Sequence, residues 1–239
     1  MKRTGCGFIS AFFVVVLTVA PAGAQFGDIL RVLRPREASL SSGTIVEGLR
    51  EALRVGTGNA VGSTGRLDGY FRNEAIRILM PRELQTAERG LRLVGYGPKV
   101  DEFVLSMNRA AEQAAPFAGD IFWNAIREMS FEDARGILQG GDTAATDYFR
   151  HETSDELTAA FLPVVRESMD AVGVTRRYRE LAGSPGVLPL IGADAFDLDQ
   201  YVVGKALDGL FHVLAEEETK IRTDPSARVT ELLRSVFGP

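Results

Sequence analysis

The stretch from Lys99 to Met129 constrains the fold more than any other part of this 239-residue chain, because it is the longest helical pattern after the apolar N-terminus. Apolar residues recur there every three or four positions, the spacing that puts side chains on one face of an α-helix. The apolar positions are Val100, Phe103, Val104, Met107, Ala110, Ala111 and Ala114, then Phe117, Ile121, Phe122, Ala125, Ile126 and Met129. Pro116 interrupts the pattern and predicts two helices that meet there. We expect the other helices to pack around this pair.

The first 24 residues have the order of a secretory signal peptide. Lys2 and Arg3 form a basic start, an apolar run follows from Phe8 to Ala20, and small residues at 22–24 form a cleavage signal. The apolar run is shorter than the roughly 20 residues that a membrane-spanning helix needs. We therefore expect cleavage after Ala24 and a periplasmic or secreted protein with no stable membrane anchor.

Cysteine content and charge exclude several classes of function. Cys6 is the single cysteine and it precedes the apolar run, so the mature chain offers no thiol for disulfides, thiolate zinc sites, iron–sulfur clusters or cysteine proteases. Without Lys2 and Arg3 the net charge is about −7, which disfavours nucleic acid and anionic lipid as partners. No phosphate-binding loop or nucleophile motif occurs, and the sequence predicts no cofactor.

Helical spacing continues through most of the mature chain and indicates an all-α fold. We expect a linker over residues 25–39 and a single domain over residues 40–239, a size at which about 70% of the unfolded surface becomes buried. The pattern predicts a single-domain bundle of about eight to ten helices. At most one small two-stranded pairing is expected, between the extended apolar segments Ile76–Met80 and Val187–Ile191.

Proline, glycine and polar residues place the helix ends. A helix is predicted between Pro81 and Gly95, and Pro163 is expected to kink a later one. The residues of the first of these helices that should face the core are Leu84, Ala87, Leu91 and Val94. The predicted N-caps are Ser130 in a capping box with Asp133, Asp142, Thr153 or Ser154, and Asp197 or Asp199. Further helices are expected over Phe26–Leu33, around Tyr178 and Leu181, and after Pro225.

Three separated strings of the sequence resemble one protein family. They are DEFVLSMNRAAEQAAP (Asp101–Pro116), GGDTAATDYFR (Gly140–Arg150), and DLDQYVVGKALDGLF followed by LAEEETKIR within Asp197–Arg222. Over residues 40–238 the chain resembles the bacterial family catalogued as domain of unknown function 4197. The resemblance implies a helical, exported protein and brings no activity or catalytic residue. The chain departs from the family's lipoprotein members because it has no cysteine just after the apolar run.

One polar strip on the central helix is the candidate site: Asn108, Arg109, Glu112 and Gln113. Arg109 and Gln113 share a helix face with Glu102 and Ser106, while Asn108 and Glu112 flank it. The strip is either the floor of a ligand site, where arginine binds a carboxylate or phosphate, or an internal polar brace in which Arg109 pairs with an acid. Both interpretations remain open at this stage.

A weaker candidate is a metal site at Asp208, His212 and Glu216, which are spaced four residues apart and lie on one helix face. Carboxylate-bridged metal bundles use a Glu-x-x-His pair from each of two helices, and the sequence has no such pair. A solvated charged stripe is the alternative, and no metal is predicted.

The sequence therefore favours an exported helical module that binds a protein or small-molecule partner. The alternative is an enzyme of the cell envelope, hydrolases included, that uses carboxylates and Arg109. A pocket containing Arg109, Glu112 and a tyrosine would favour the enzyme.

Overall fold

A computed structural model describes residues 42–171, 176 and 197–224, all within one compact unit, Leu40–Pro239. The α-helices of the described residues are α1 (Ser42–Thr64), α2 (Gln85–Leu93), α3 (Gly97–Ala114), α4 (Ala118–Glu128), α5 (Phe131–Gln139), α6 (Ala144–Asp170) and α7 (Leu198–Thr223). Single 3-10 turns cover Arg82–Leu84 and Ala115–Phe117. These residues contain no strand, and the all-α prediction is confirmed. None of their helices is long and apolar enough to cross a membrane.

The core is shared by α1, α3, α4, α6 and α7. The apolar stripe predicted on α3 is buried, and α6 packs against both α3 and α7 while α1 packs against α7. Phe122 lies edge-to-face against Phe149 and Phe211, with ring centroids 5.1 and 6.1 Å apart. The predicted break at Pro116 is the 3-10 turn that joins α3 to α4. Phe117 is exposed rather than inward, because this turn rotates it off the buried stripe.

The predicted boundary at Thr153 or Ser154 is wrong, because α6 runs without interruption from Ala144 to Asp170. The hydroxyl of Thr153 donates to the carbonyl of Phe149, and that of Ser154 to the carbonyl of Arg150. A hydroxyl that bonds back to the preceding turn does not cap a new helix. The described residues therefore contain fewer α-helices than the eight to ten predicted.

The N-terminus of α6 is also capped differently from the prediction. Its N-cap is Thr143, which makes no side-chain capping bond. The buried carboxylate of Glu218, on α7, instead accepts hydrogen bonds from the amides of Ala145 at 2.9 Å and Thr146 at 2.8 Å. Arg222 donates to the same carboxylate at 2.7 Å. A carboxylate of the protein itself thus occupies the anion-binding end of this helix, in place of the predicted Asp142.

Two other predicted caps are confirmed. Ser130 and Asp133 form a reciprocal capping box at α5, and the hydroxyl and amide of Ser130 hold the pKa of Asp133 below its ordinary value. Asp197 caps α7 by accepting from the amide of Gln200 at 3.1 Å. Gly95, with φ of 88°, follows the end of α2 as predicted.

Helix α2 is predicted correctly as a helix and wrongly as part of the core. It has no buried residue, and Leu91 and Val94 are 44% and 69% exposed. Its main neighbour is α3, to which Arg92 is joined by an ion pair with Asp101 at 2.8 Å. A single neighbouring helix covers only one side, so the apolar stripe of α2 remains at the surface.

Several predictions concern residues that the structure does not describe. These are the signal peptide, the linker over residues 25–39, the helices expected over Phe26–Leu33, around Tyr178 and Leu181 and after Pro225, and the segment Val187–Ile191.

We predict that Glu218→Ala lowers the free energy of unfolding by about 3–5 kcal/mol, because it removes the buried carboxylate that pairs with Arg222 and accepts from the amides of Ala145 and Thr146. Glu216→Ala is the matched control, since Glu216 is on the same helix, half exposed, and pairs with His212 at 3.4 Å. That control should cost less than about 1 kcal/mol. Urea denaturation of both variants measures the difference, and equal effects would contradict the capping role of Glu218.

Candidate functional site

The polar strip of α3 faces the segment that connects α1 to α2, residues 65–80, hereafter the connecting segment. This segment has no helix or strand, and the backbone amides and carbonyls that its own turns leave unpaired need partners elsewhere. Side chains of α3 supply several of them. The candidate residues Asn108, Arg109 and Glu112 all contact the connecting segment or one another.

Asn108 is fully buried and pairs with the backbone of Ile78. Its side-chain oxygen accepts from the Ile78 amide at 2.9 Å, and its side-chain nitrogen donates to the Ile78 carbonyl at 2.8 Å. The same nitrogen also donates to the carbonyl of Val104 at 2.8 Å. The amide group of Asn108 therefore bonds to both backbone polar groups of Ile78, as a neighbouring strand would, although Ile76–Met80 forms no strand.

Glu112 is a buried carboxylate with three donors. One oxygen accepts from the amides of Tyr70 and Phe71, both at 3.1 Å, and the other accepts from Arg109. A buried charge is tolerated only when it is paired and hydrogen-bonded in this way.

Arg109 joins the helix to the connecting segment through a second carboxylate. Its guanidinium donates to Glu112 and, at 2.6 Å, to Asp68. Asp68 has φ of 64°, a left-handed conformation that aspartate tolerates, and also pairs with Arg72 at 2.9 Å. Burial lowers the pKa of Arg109, but its hydrogen bonds to Glu112 and Asp68 and the negative charge of these two carboxylates raise it by more, so the net shift is upward. Arg109 is therefore a permanent cation between two acids.

Tyr70 fixes the connecting segment to α7. Its fully buried hydroxyl donates to the carbonyl of Ala206 at 2.6 Å, and burial raises its pKa. A β-carbon at Gly209 would lie 2.7 Å from the Tyr70 ring and 3.0 Å from the β-carbon of Ile76. Glycine at 209 thus permits the connecting segment to approach α7 closely.

The other face of the strip borders an open groove of about 470 Å³ between α3 and α6. Arg109 and Gln113 line it, whereas Asn108 and Glu112 do not. The lining residues are Glu102, Leu105, Ser106, Arg109 and Gln113 from α3, Val164, Glu167 and Ser168 from α6, and Ala171 just after it. The four candidate residues are therefore divided between a buried polar brace and a groove wall, and Arg109 belongs to both.

The three residues of the metal candidate are at the surface of α7. Asp208 pairs with Lys205 at 3.2 Å and lies 3.7 Å from Arg150, while His212 pairs with Glu216. Among residues 42–171, 176 and 197–224, no three histidine or carboxylate side chains are arranged to hold a metal ion.

Sequence reasoning missed Asp68 and Tyr70, which bond to the strip, as well as Gly209 against Tyr70 and the groove residues Glu167 and Ser168. Asp68 is 41 residues from Arg109 along the chain, and Tyr70 is 42 residues from Glu112. Single-chain periodicity carries no signal for such pairs, and a buried acid at 112 indicates only that donors must exist.

We predict that Asn108→Ala lowers the free energy of unfolding by about 3 kcal/mol, because it leaves the buried amide and carbonyl of Ile78 without partners. Gln113→Ala, a change at an exposed position on the same helix, should stay within about 0.5 kcal/mol of wild type. Hydrogen exchange provides a local readout, since the Ile78 amide should exchange faster in Asn108→Ala alone. Equal stability of the two variants would show that the pairing is dispensable.

Comparison with known proteins agrees with the resemblance seen in the sequence strings. A model of the family described as a protein of unknown function (DUF4197) matches residues 39–238. No curated protein and no solved structure matches the chain. Because the family model covers most of the chain, this protein belongs to the DUF4197 family.

Proposed function

We propose that this protein is an exported helical binding module whose small-molecule ligand occupies the groove between α3 and α6. The observation that carries the proposal is the position of Arg109, which lines the groove while Asp68 and Glu112 hold its guanidinium in place. A binding site gains affinity when its polar groups are held in position before the ligand arrives.

The size and lining of the groove support this proposal. Its volume of about 470 Å³ is within the roughly 300–1,000 Å³ that small-molecule sites occupy. Leu105 and Val164 supply apolar surface, and Gln113 and Ser168 supply neutral hydrogen-bonding groups. Apolar walls with a few placed polar groups are typical of ligand sites.

The geometry favours binding over the alternative of an enzyme based on carboxylates and Arg109. Glu112 is committed to two backbone amides and to Arg109, so it has no role as a general base toward a ligand. The hydroxyl of Tyr70 is directed to the carbonyl of Ala206. A pocket containing Arg109, Glu112 and a tyrosine would favour the enzyme, and of these only Arg109 is among the described residues that line the groove.

We expect the melting temperature of the mature protein to rise when the low-molecular-weight fraction of a cell-envelope extract is added. A ligand at about 100 times its Kd adds about 2.7 kcal/mol, which corresponds to about 5–10 °C for a domain of this size. Tryptophan at Gln113 or at Ser168 fills the groove from opposite walls and should abolish the shift. Gln139→Trp, at an exposed position of α5 outside the groove lining, should retain it.

Circular dichroism first establishes that each tryptophan variant is folded. The exposed Gln113→Trp variant keeps the test valid if Ser168→Trp is unstable. No shift of wild type in any fraction, or shifts of equal size in wild type and Gln113→Trp, would contradict a ligand site in this groove.

Export is the other part of the proposal, and it is supported by the basic start, the apolar run and the cleavage signal of residues 1–24. We expect the protein in the periplasmic or secreted fraction with Gln25 as its first residue, as measured by fractionation and mass spectrometry of the intact chain. Ala24→Arg should block cleavage, since the site requires a small residue. Cytoplasmic protein that still carries residues 1–24 would contradict export.

A further inference from the structure

We infer that the ligand of the α3–α6 groove is cationic, with an ammonium or guanidinium group on an alkyl chain. This inference rests on the proposed function, because it names the ligand class of the same site. Arginine in a groove ordinarily suggests an anion, and the surroundings of Arg109 reverse that expectation.

The positive charge of Arg109 is already balanced inside the protein. Asp68 and Glu112 each accept a hydrogen bond from a different terminal nitrogen of the guanidinium. Arg72 pairs with Asp68 from the far side at 2.9 Å, so two carboxylates face two guanidinium groups and the cluster has no surplus positive charge. An anion entering the groove would therefore compete with two built-in carboxylates for Arg109.

The groove itself has an acidic residue on each wall. Glu102 belongs to α3 and Glu167 to α6, and both line the groove. Glu102 pairs with Lys99 at 2.6 Å, but both side chains are about half exposed, and exposed pairs of this kind contribute little and exchange readily. Glu167 forms no ion pair with another described residue. A cation between these walls gains attraction from both, because the two carboxylates are otherwise weakly compensated.

The remaining lining residues indicate the chemistry of the rest of the ligand, to which the cationic group is attached. Leu105, Val164 and Ala171 present alkyl surface along the groove. Gln113 and Ser168 add neutral hydrogen-bonding groups and no charge. An alkyl chain with a terminal ammonium or guanidinium matches apolar walls combined with acids, as a lysine or arginine side chain does when its stem lies on apolar surface and its charged end meets a carboxylate.

Three probes with the same five-carbon chain test the charge class by calorimetry on the mature protein: cadaverine with two ammonium groups, pentanediol with none, and glutarate with two carboxylates. We expect cadaverine to bind most tightly and its affinity to fall when salt is raised. Spermidine, a longer polyamine, covers the case of a larger natural ligand. Tighter binding of glutarate or pentanediol than of cadaverine, or no binding of either amine at millimolar concentration, would overturn the inference.

Variants that neutralise a single carboxylate test whether the groove itself attracts cadaverine. Glu167→Gln should weaken cadaverine about tenfold, whereas Glu156→Gln, an equal charge change at an exposed position of the same helix outside the groove lining, should leave the affinity unchanged. Equal weakening by both variants would indicate attraction by net charge alone and would refute a groove-specific cation site.

The two proposals fail in different ways. If glutarate or pentanediol binds and Gln113→Trp abolishes that binding, the groove is the site and only the charge class is wrong. If cadaverine binds wild type and Gln113→Trp equally, the groove is not the site, and both the proposed function and its ligand class are refuted.

Discussion

The buried carboxylate of Glu112 fixes the positions of several elements of this structure. A charge removed from water costs several kcal/mol unless donors replace the lost solvent, and three donors converge on this side chain. Two of them are backbone amides of the connecting segment, so satisfying the charge also fixes the path of the chain between α1 and α2. Because Tyr70 extends from that segment to α7, one buried acid is linked to three elements of the fold.

The local part of this arrangement could be predicted from the sequence. Spacing on α3 predicted both the apolar stripe and the polar strip, and Ser130 with Asp133 predicted a capping box, because each of these patterns is complete within a few residues. The strip's partners could not be predicted. Asp68 is 41 residues from Arg109, and Glu218 is 72 residues from the helix end that it caps. A single sequence shows that a buried acid or a helix end needs a partner, but not which residue supplies it.

The errors have the same physical origin. Thr153 and Ser154 were equally compatible with an N-cap and with a hydroxyl bonded to the preceding turn, and only the continuity of α6 decides between them. For α2 the periodicity was correct, yet periodicity defines an apolar face without showing what covers it. Ile76–Met80 forms no strand, and the partner of Ile78 is a side-chain amide rather than another strand.

The two interpretations of the polar strip, brace and binding site, are compatible because Arg109 serves in both. The contacts that make it a brace are the ones that settle its electrostatic effect on the groove: with Asp68 and Glu112 bound, the guanidinium contributes shape and fixed donors but no surplus positive charge. The net charge of the groove lining is then set by Glu102 and Glu167, which lie on helices held in place by the apolar core. An arginine in a groove thus says little about the charge of a ligand until its own partners have been counted.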